Sequence, residues 1–173
     1  MPLFGPPTIW KPIFNYTLTA NESTLDIAGL DILSHKAYFL ECHFRNVSTL
    51  NSSYRIYFNG DYTDGNYSTQ YSIANGASLS AGRESRPYLG DTNTTTAAMI
   101  LAHISRDPIG LIRWKTDVIR SDNATVQLHF IAASTDASAA NLTSIRIASK
   151  TAGTDTASTA MISGTTIKLF SMY

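Results

Sequence analysis

Eight asparagines in this chain occur in Asn-x-Ser/Thr triplets that have no proline at the middle position. Each triplet is an acceptor for N-glycosylation, which joins a sugar chain to the asparagine amide on a surface that faces the outside. The same residue types also favour turns and strand ends, so a purely structural origin remains open. The eight positions are Asn15, Asn21, Asn46, Asn51, Asn66, Asn93, Asn123 and Asn141. Their number favours a location outside the cell.

The histidines, the serines and the single cysteine form no recognised catalytic or metal-binding motif. His35, His43, His103 and His129 have no zinc-ligand spacing, and no serine lies in a Gly-x-Ser-x-Gly elbow. Cys42 falls on the core face of a predicted strand, while His43 and His129 fall on polar faces, where we expect solvent or an interface. The sequence therefore predicts neither an enzyme nor a bound metal or cofactor.

The loop from Asn59 to Asn66 groups four oxygen donors of the kind that calcium prefers. Asp61 and Asp64 supply carboxylates, and the two asparagines supply amide oxygens. The spacing differs from that of a helix-flanked calcium loop, and aspartates in tight loops commonly accept backbone hydrogen bonds in Asx-turns. We favour a structural turn over a cation site.

Tyrosines are concentrated in the middle of the chain, where their faces could stack on sugar rings. Alternating tyrosines on a β-sandwich are more often core edges or subunit contacts, which is the interpretation that we favour. A glycan site at Tyr62, Tyr67 or Tyr71 remains the alternative. The concentrated positions are Tyr57, Tyr62, Tyr67, Tyr71 and Tyr88.

The elements that must position these residues are β-strands, because apolar residues alternate with period two and helical periodicity is nearly absent. Tyr38, Leu40, Cys42 and Phe44 share one face of the clearest strand. Dipeptides such as Asn59-Gly60 favour hairpin turns between strands. The predicted strands are 17–19, 24–28, 36–45, 54–58, 69–73, 98–104, 111–119, 126–130, 143–148 and 166–170. This pattern predicts an all-β fold, an antiparallel sandwich or jelly roll.

Two other strands have predicted faces that decide which side chains enter the core. Tyr54, Ile56 and Phe58 form the expected core face of one strand, opposite Arg55 and Tyr57. In the other strand the expected core residues are Val126, Leu128 and Phe130, opposite Gln127 and His129.

Composition limits the classes of function. The 173 residues suit one domain, and charged residues are only 15% and cancel to zero, so no basic face is expected for nucleic acid or anionic lipid. One cysteine cannot form an intramolecular disulfide, and no apolar run is long enough to cross a membrane. Stability must therefore come from packing or assembly.

The first fourteen residues contain four prolines, which cannot donate hydrogen bonds to a β-ladder. We expect residues 1–14 to form an extended arm outside a domain at residues 15–173. The arm has neither the basic start nor the apolar block of a signal peptide, so we expect assembly into a particle to bring the protein outside.

Three blocks of sequence resemble small jelly-roll proteins of the virion surface, the head-decoration and tail-fibre proteins of tailed phages and related archaeal viruses. The segment Tyr54 to Gln70, YRIYFNGDYTDGNYSTQ, is similar to a block with Phe-Asn-x-Asp followed by Asn-Tyr-x-x-Gln. Leu25 to Asp31 resembles the first core strand pair of the family. Segments 141–147 and 162–170 resemble its closing pair, with Gly164-Thr165 in place of the usual Gly-Ser.

The resemblance implies a jelly-roll module that forms trimers on a capsid or tail and has no catalytic residues. We therefore expect an N-glycosylated capsid decoration protein on the virion surface, a homotrimer whose partner is the major capsid protein or another virion protein. The triplets point to a virus of an archaeal host, with a eukaryotic host as the alternative, because bacteria seldom glycosylate them. The expected capsid contacts are the apolar residues of the arm, Phe4, Ile9, Trp10, Ile13 and Phe14.

Two other functions remain open at this point. The first is a receptor-binding or glycan-binding module of a viral tail fibre or spike, which would bind a saturable ligand. The second is a surface or filament subunit of an archaeal cell. The triplets are compatible with both, whereas the family blocks favour a virion protein.

Overall fold

The computed structural model describes residues 10–46, 51–75, 78–94, 96–122, 125–152, 154 and 156–173. Across these residues the chain forms twelve β-strands and one short 3-10 turn at Asp64–Asn66. The strands are β1 (Trp10–Thr17), β2 (Thr24–Ala28), β3 (Ala37–Arg45), β4 (Ser52–Phe58), β5 (Tyr67–Asn75), β6 (Ser78–Glu84), β7 (Tyr88–Thr92), β8 (Ala97–Arg106), β9 (Ile112–Asp122), β10 (Thr125–Thr135), β11 (Ser144–Thr151) and β12 (Thr166–Met172). The predicted all-β fold is confirmed.

The strands form two antiparallel sheets that pack face to face as a sandwich. The larger sheet has the order β1-β12-β3-β8-β9-β10-β5-β6, and the smaller sheet has the order β2-β11-β4-β7. The framework strands β1-β12-β3-β8 lie opposite β2-β11-β4-β7, so that the chain crosses repeatedly between the sheets. This is the strand order of a jelly roll.

Two hairpins extend the larger sheet beyond the eight strands of that framework. Strands β5 and β6 are inserted between β4 and β7, and strands β9 and β10 are inserted between β8 and β11. They continue the sheet past β8 in the order β9-β10-β5-β6. Strand β7 packs against the inner faces of β8, β9 and β10, so the near part of this extension has a covered inner face and an open outer face.

The core lies between the sheets and contains the residues that alternation predicts for β3. Tyr38, Leu40, Cys42 and Phe44 are all buried, and the Phe44 ring stacks on Tyr54 of the smaller sheet with 3.7 Å between ring centroids. Burial raises the pKa of the Cys42 thiol far above its usual value, which keeps the sulfur protonated and unreactive.

One glycine permits the closest approach between the sheets. A Cβ atom at Gly90 of β7 would lie 2.6 Å from Ile100 Cδ1 and 2.9 Å from Val118 Cγ2. Both distances are shorter than side-chain packing allows, so β7 can cover the extension only with glycine at this position.

The beginning of the described chain differs from the expected arm. Trp10 to Phe14 belong to β1, which pairs antiparallel with β12 at the edge of the larger sheet. Pro12 is tolerated there because one side of an edge strand has no ladder partner, and the register shifts between Pro12 and Phe14. The rest of the predicted arm, with Phe4 and Ile9, lies outside the described residues.

The predicted faces of β10 are wrong. Leu128 is 39% exposed and Phe130 is 47% exposed, whereas Gln127 and His129 are buried between the sheets. The Val126 side chain lies outside the described part of the chain. In β4 the predicted core residues are buried, but Arg55 and Tyr57 on the opposite face are buried as well. Strands β6 and β7 are absent from the sequence prediction.

Candidate functional site

Two of the eight predicted glycosylation sites have asparagine side chains that are used inside the fold. Asn46 is only 2% exposed, and its Nδ2 atom donates a hydrogen bond to the Asn93 carbonyl oxygen over 2.9 Å. The Nδ2 atom of Asn141 donates to Asp31 Oδ1 over 2.9 Å, while Asn141 Oδ1 accepts from the backbone N–H of Ile32. These triplets have a structural role in the folded chain.

Four other triplets have exposed asparagines, at Asn15, Asn21, Asn51 and Asn66. Asn93 is half-buried, and Asn123 lies outside the described residues. Asn15 lies in β1, whereas Asn21 and Asn51 lie outside the strands and Asn66 closes the 3-10 turn. Sugar chains at these four positions would leave the core undisturbed.

The oxygen atoms of the loop from Asn59 to Asn66 accept hydrogen bonds that stabilise the loop. Asp61 accepts hydrogen bonds from the Thr63 backbone N–H at 3.1 Å and from Asn66 Nδ2 at 2.8 Å. The Asn59 amide oxygen accepts from the Thr143 backbone N–H at 2.8 Å. This arrangement supports the structural turn. Among the described residues, no three His, Cys, Asp or Glu side chains are grouped as a metal site.

Arg55 is a buried partner of this loop that the sequence prediction missed. Its side chain forms an ion pair with Asp64, which also accepts a hydrogen bond from the Tyr57 hydroxyl over 2.7 Å. Burial, together with the Asp64 carboxylate, raises the pKa of Tyr57 to about 12, so the phenol remains a donor. The signal was an arginine amid the apolar residues of β4, which requires an anionic partner if it is buried.

The three tyrosines of the alternative glycan site do not form a common platform. Tyr67 is buried, and its hydroxyl donates to the Asp61 carbonyl oxygen over 2.7 Å. Tyr71 packs edge-on against Tyr88 with 5.9 Å between ring centroids. Tyr62 is 49% exposed, and the Arg146 guanidinium lies 4.0 Å from the centroid of its ring. Tyr62 is the one of these three that remains open to a ligand.

A polar cluster lies beneath β7, where the sequence predicts apolar side chains. The Arg120 guanidinium donates to Asp91 Oδ1 over 2.6 Å and to Gln127 Oε1 over 2.8 Å. His129 Nδ1 lies 3.4 Å from Asp91 Oδ1, but neither ring nitrogen has a hydrogen-bond partner among the described residues. The expectation of an exposed His129 is therefore wrong, whereas His43 is exposed as expected.

The outer face of the larger sheet carries an apolar surface at its centre. Ile119 of β9 lies opposite Leu128 of β10 and Met99 of β8, and it is 40% exposed. Phe130 lies two residues along β10 from Leu128, and Leu101 lies two residues along β8 from Met99. We call these five residues the outer apolar patch.

A second apolar group lies near the β1 edge of the same sheet. The Trp10 ring lies 5.7 Å from the Phe39 ring, and the Phe39 ring lies 6.2 Å from the Phe170 ring, measured between centroids. Ile13 is 39% exposed and lies at the register shift of β1. We call these four residues the edge aromatic cluster. Phe14, by contrast, packs against the core.

A polar depression of about 620 Å³ lies on the larger sheet, mainly over the hairpin extension. Cross-strand pairing aligns its residues in two rows. One row is His103, Lys115, Ala132, Gln70 and Arg83, and the other row is Ser105, Arg113, Ser134 and Ser68. We call these nine residues the basic trough, because three of them carry permanent positive charge.

Comparison of the chain with protein-family models, with curated proteins and with solved structures finds no match. Within the described residues, no helix has the length and apolar character needed to cross a membrane. The function must therefore be argued from the open surfaces of the sandwich.

Proposed function

We propose that this protein is a virion structural protein that decorates a capsid surface as an N-glycosylated homotrimer. The observation that carries the proposal is the outer apolar patch. Leu128, Ile119 and Met99 form a contiguous apolar row, which is typical of surfaces that another subunit covers, whereas Asp117 separates Phe130 from Leu101 in the next row. The resemblance of three sequence blocks to virion surface proteins and the jelly-roll strand order support the same conclusion.

The two apolar surfaces have separate roles in this proposal. The outer apolar patch joins copies of the chain, because its residues lie at the middle of a broad sheet. The edge aromatic cluster contacts the capsid through Trp10 and Ile13, to which Phe39 and Phe170 contribute. Phe14 stabilises the domain instead, since its side chain packs against the core.

Sedimentation velocity of the purified chain tests the subunit contact. We expect a trimer for the natural sequence and a monomer for the triple variant Ile119→Ser, Leu128→Ser, Phe130→Ser. All three side chains are partly exposed, so the variant should unfold at nearly the natural temperature.

The matched control is the double variant Leu33→Ser, Ile109→Ser. These residues are 65% and 72% exposed, but they lie in loops outside the patch. We expect this control to remain trimeric. A natural chain that sediments as a monomer across the micromolar range would overturn the proposed trimer.

A receptor-binding or glycan-binding module of a viral fibre or spike is the second candidate. The basic trough favours it, because a depression of about 620 Å³ lies within the usual range of ligand sites. Both surfaces lie on the outer face of the larger sheet, and Phe130 of the patch is two residues from Ala132 of the trough. One molecule can have both functions if the contact between subunits leaves the trough side of Phe130 open.

A further inference from the structure

We infer that the basic trough binds an acidic saccharide, with a sugar carboxylate held between Lys115 and Arg83. This inference rests on the second candidate function, the glycan-binding module, and names its ligand class. It concerns an interaction with a small ligand, whereas the decoration role depends on apolar contacts between proteins.

Strand pairing determines where the charged groups lie. Lys115 pairs with Ala132, Ala132 with Gln70, and Gln70 with Arg83, so these side chains form a row across four strands. Adjacent strands lie about 4.8 Å apart, which places Lys115 and Arg83 about 14 Å from each other at the backbone. Their long side chains can converge on one ligand from opposite ends of the row.

The two cations at the ends of this row have no competing partner in the described chain. Neither Lys115 nor Arg83 forms a hydrogen bond or ion pair there, although Arg113 beside them binds Asp107 through its Nε atom over 2.7 Å. Asp117 lies two residues from Lys115 on the same face of β9, but Lys115 forms no ion pair with it, so both cations remain available to an anion. A bound anionic group would form charge-assisted hydrogen bonds with both cations.

The carboxylate in the lining does not neutralise the row. Glu84 follows Arg83 in β6 and pairs with Thr69, which is buried, so its side chain points toward the inner side of the sheet. It also lines a separate depression beside Arg86 and Tyr88. The outer row therefore keeps its positive charge.

The uncharged part of the lining fits sugar hydroxyls. Gln70 and Ser134 offer both hydrogen-bond donors and acceptors, as the hydroxyl groups of a saccharide do. Ala132 lies between the two charged ends of the row, and its small side chain leaves space above the sheet. The site thus combines anion recognition at its ends with hydroxyl recognition at its centre.

Other ligand classes fit this surface less well. A nucleic acid would be expected to stack its bases on exposed aromatic side chains. Trp114 in the lining is only 2% exposed, and the exposed Trp10 ring lies 6.1 Å from the His103 ring, beyond Lys115 and outside the span between Lys115 and Arg83. A neutral sugar would need the same stacking surface and would leave both cations unpaired. An acidic saccharide uses the cations and the hydroxyl-bearing side chains together.

Calorimetric titration with paired oligosaccharides tests the inference. The probes are uronate-containing and sialate-containing oligosaccharides, each compared with its carboxyl methyl ester, which keeps the sugar and removes the charge. We expect at least one acid to bind at low salt and its ester to bind at least about tenfold more weakly. Affinity for the acid should fall as salt is added, because the cations are exposed.

Single substitutions assign the site. Lys115→Gln and Arg83→Gln should each weaken binding of the acid by about tenfold, since each removes one charge-assisted contact. Arg45→Gln is the matched control, because Arg45 is an exposed arginine of β3 that lies outside the trough. It is six residues, or about 20 Å, along β3 from Phe39, which pairs with the trough residue His103. We expect this control to change affinity by less than about twofold.

Three results would overturn the inference. The first is that no acid binds more tightly than its ester, and the second is that both trough variants retain the natural affinity. Tighter binding of sulfated oligosaccharides or single-stranded DNA than of any carboxylated sugar would exclude carboxylate recognition. The double variant Ile119→Ser, Leu128→Ser leaves Phe130 beside the trough unchanged and should bind as the natural chain does, which separates failure of this inference from failure of the proposed assembly.

Discussion

The buried imidazole of His129 beneath β7 makes the stability of the domain depend on pH. Burial lowers its pKa below the ordinary value of 6.5, and the positive charge of Arg120 acts in the same direction against the opposing effect of Asp91. Between these two pKa values the unfolded chain binds a proton that the folded chain does not bind. Stability is therefore lost as the pH falls through about 6.5.

The change from pH 7.5 to pH 5.5 should lower the free energy of unfolding of the natural chain through this histidine by at most about 1.4 kcal/mol, the limit for one proton bound by the unfolded chain alone. Urea denaturation at both pH values measures the effect. The variant His129→Gln should lose correspondingly less stability over this interval. Equal pH dependence in the natural chain and in this variant would exclude His129 as the source.

At the scale of the elements, β1 protects the edge of the larger sheet. It covers the free edge of β12 through a ladder from Trp10 to Thr17, and its Phe14 side chain packs against the core. Without β1, the edge of β12 would present unpaired backbone groups that favour aggregation. A chain that begins at Trp10 keeps all of β1 and is the control.

A chain that begins at Leu18 should instead unfold several degrees lower and aggregate on heating, because it lacks β1 entirely. Differential scanning calorimetry and light scattering compare the two truncated chains. Equal unfolding temperatures for both would mean that β1 contributes nothing to the domain, contrary to its pairing with β12.

Individual elements explain how far the sequence could predict this fold. Strand β3 was predictable because its inner residues are apolar and its outer residues are polar or partly exposed. Strand β10 was not, because Gln127 is paired through Arg120 while Leu128 and Phe130 lie on an open face. Alternation of polar and apolar residues defines the two faces of a strand. It does not show which face points into the core when polar residues are buried and apolar residues are exposed.

The basic trough could not be predicted from the sequence, because its residues come together only through strand pairing. Arg83, Gln70, Lys115 and His103 are far apart in the sequence, and only the register of five strands brings them into one row. The unpredicted strand β6 supplies Arg83. Tyrosine clustering along the chain, by contrast, pointed to residues that the fold separates into the core and the surface.

At the scale of the whole molecule, the protein is a jelly-roll framework with an added pair of hairpins. The framework supplies the sandwich core and the β1 edge, while the hairpins supply most of the basic trough and the β9 and β10 residues of the outer apolar patch. We therefore expect the extension to determine what this protein binds. Four exposed triplets remain available for sugar chains.

The most direct test of the proposed function is a cryo-electron microscopy map of a native virus particle that contains this chain. We expect many copies over the capsid, in trimers in which Ile119, Leu128 and Phe130 are covered by a neighbouring copy and Trp10 contacts the capsid shell. A map in which the chain lies away from the capsid surface, or in which every copy has its outer apolar patch open to solvent, would contradict the proposal.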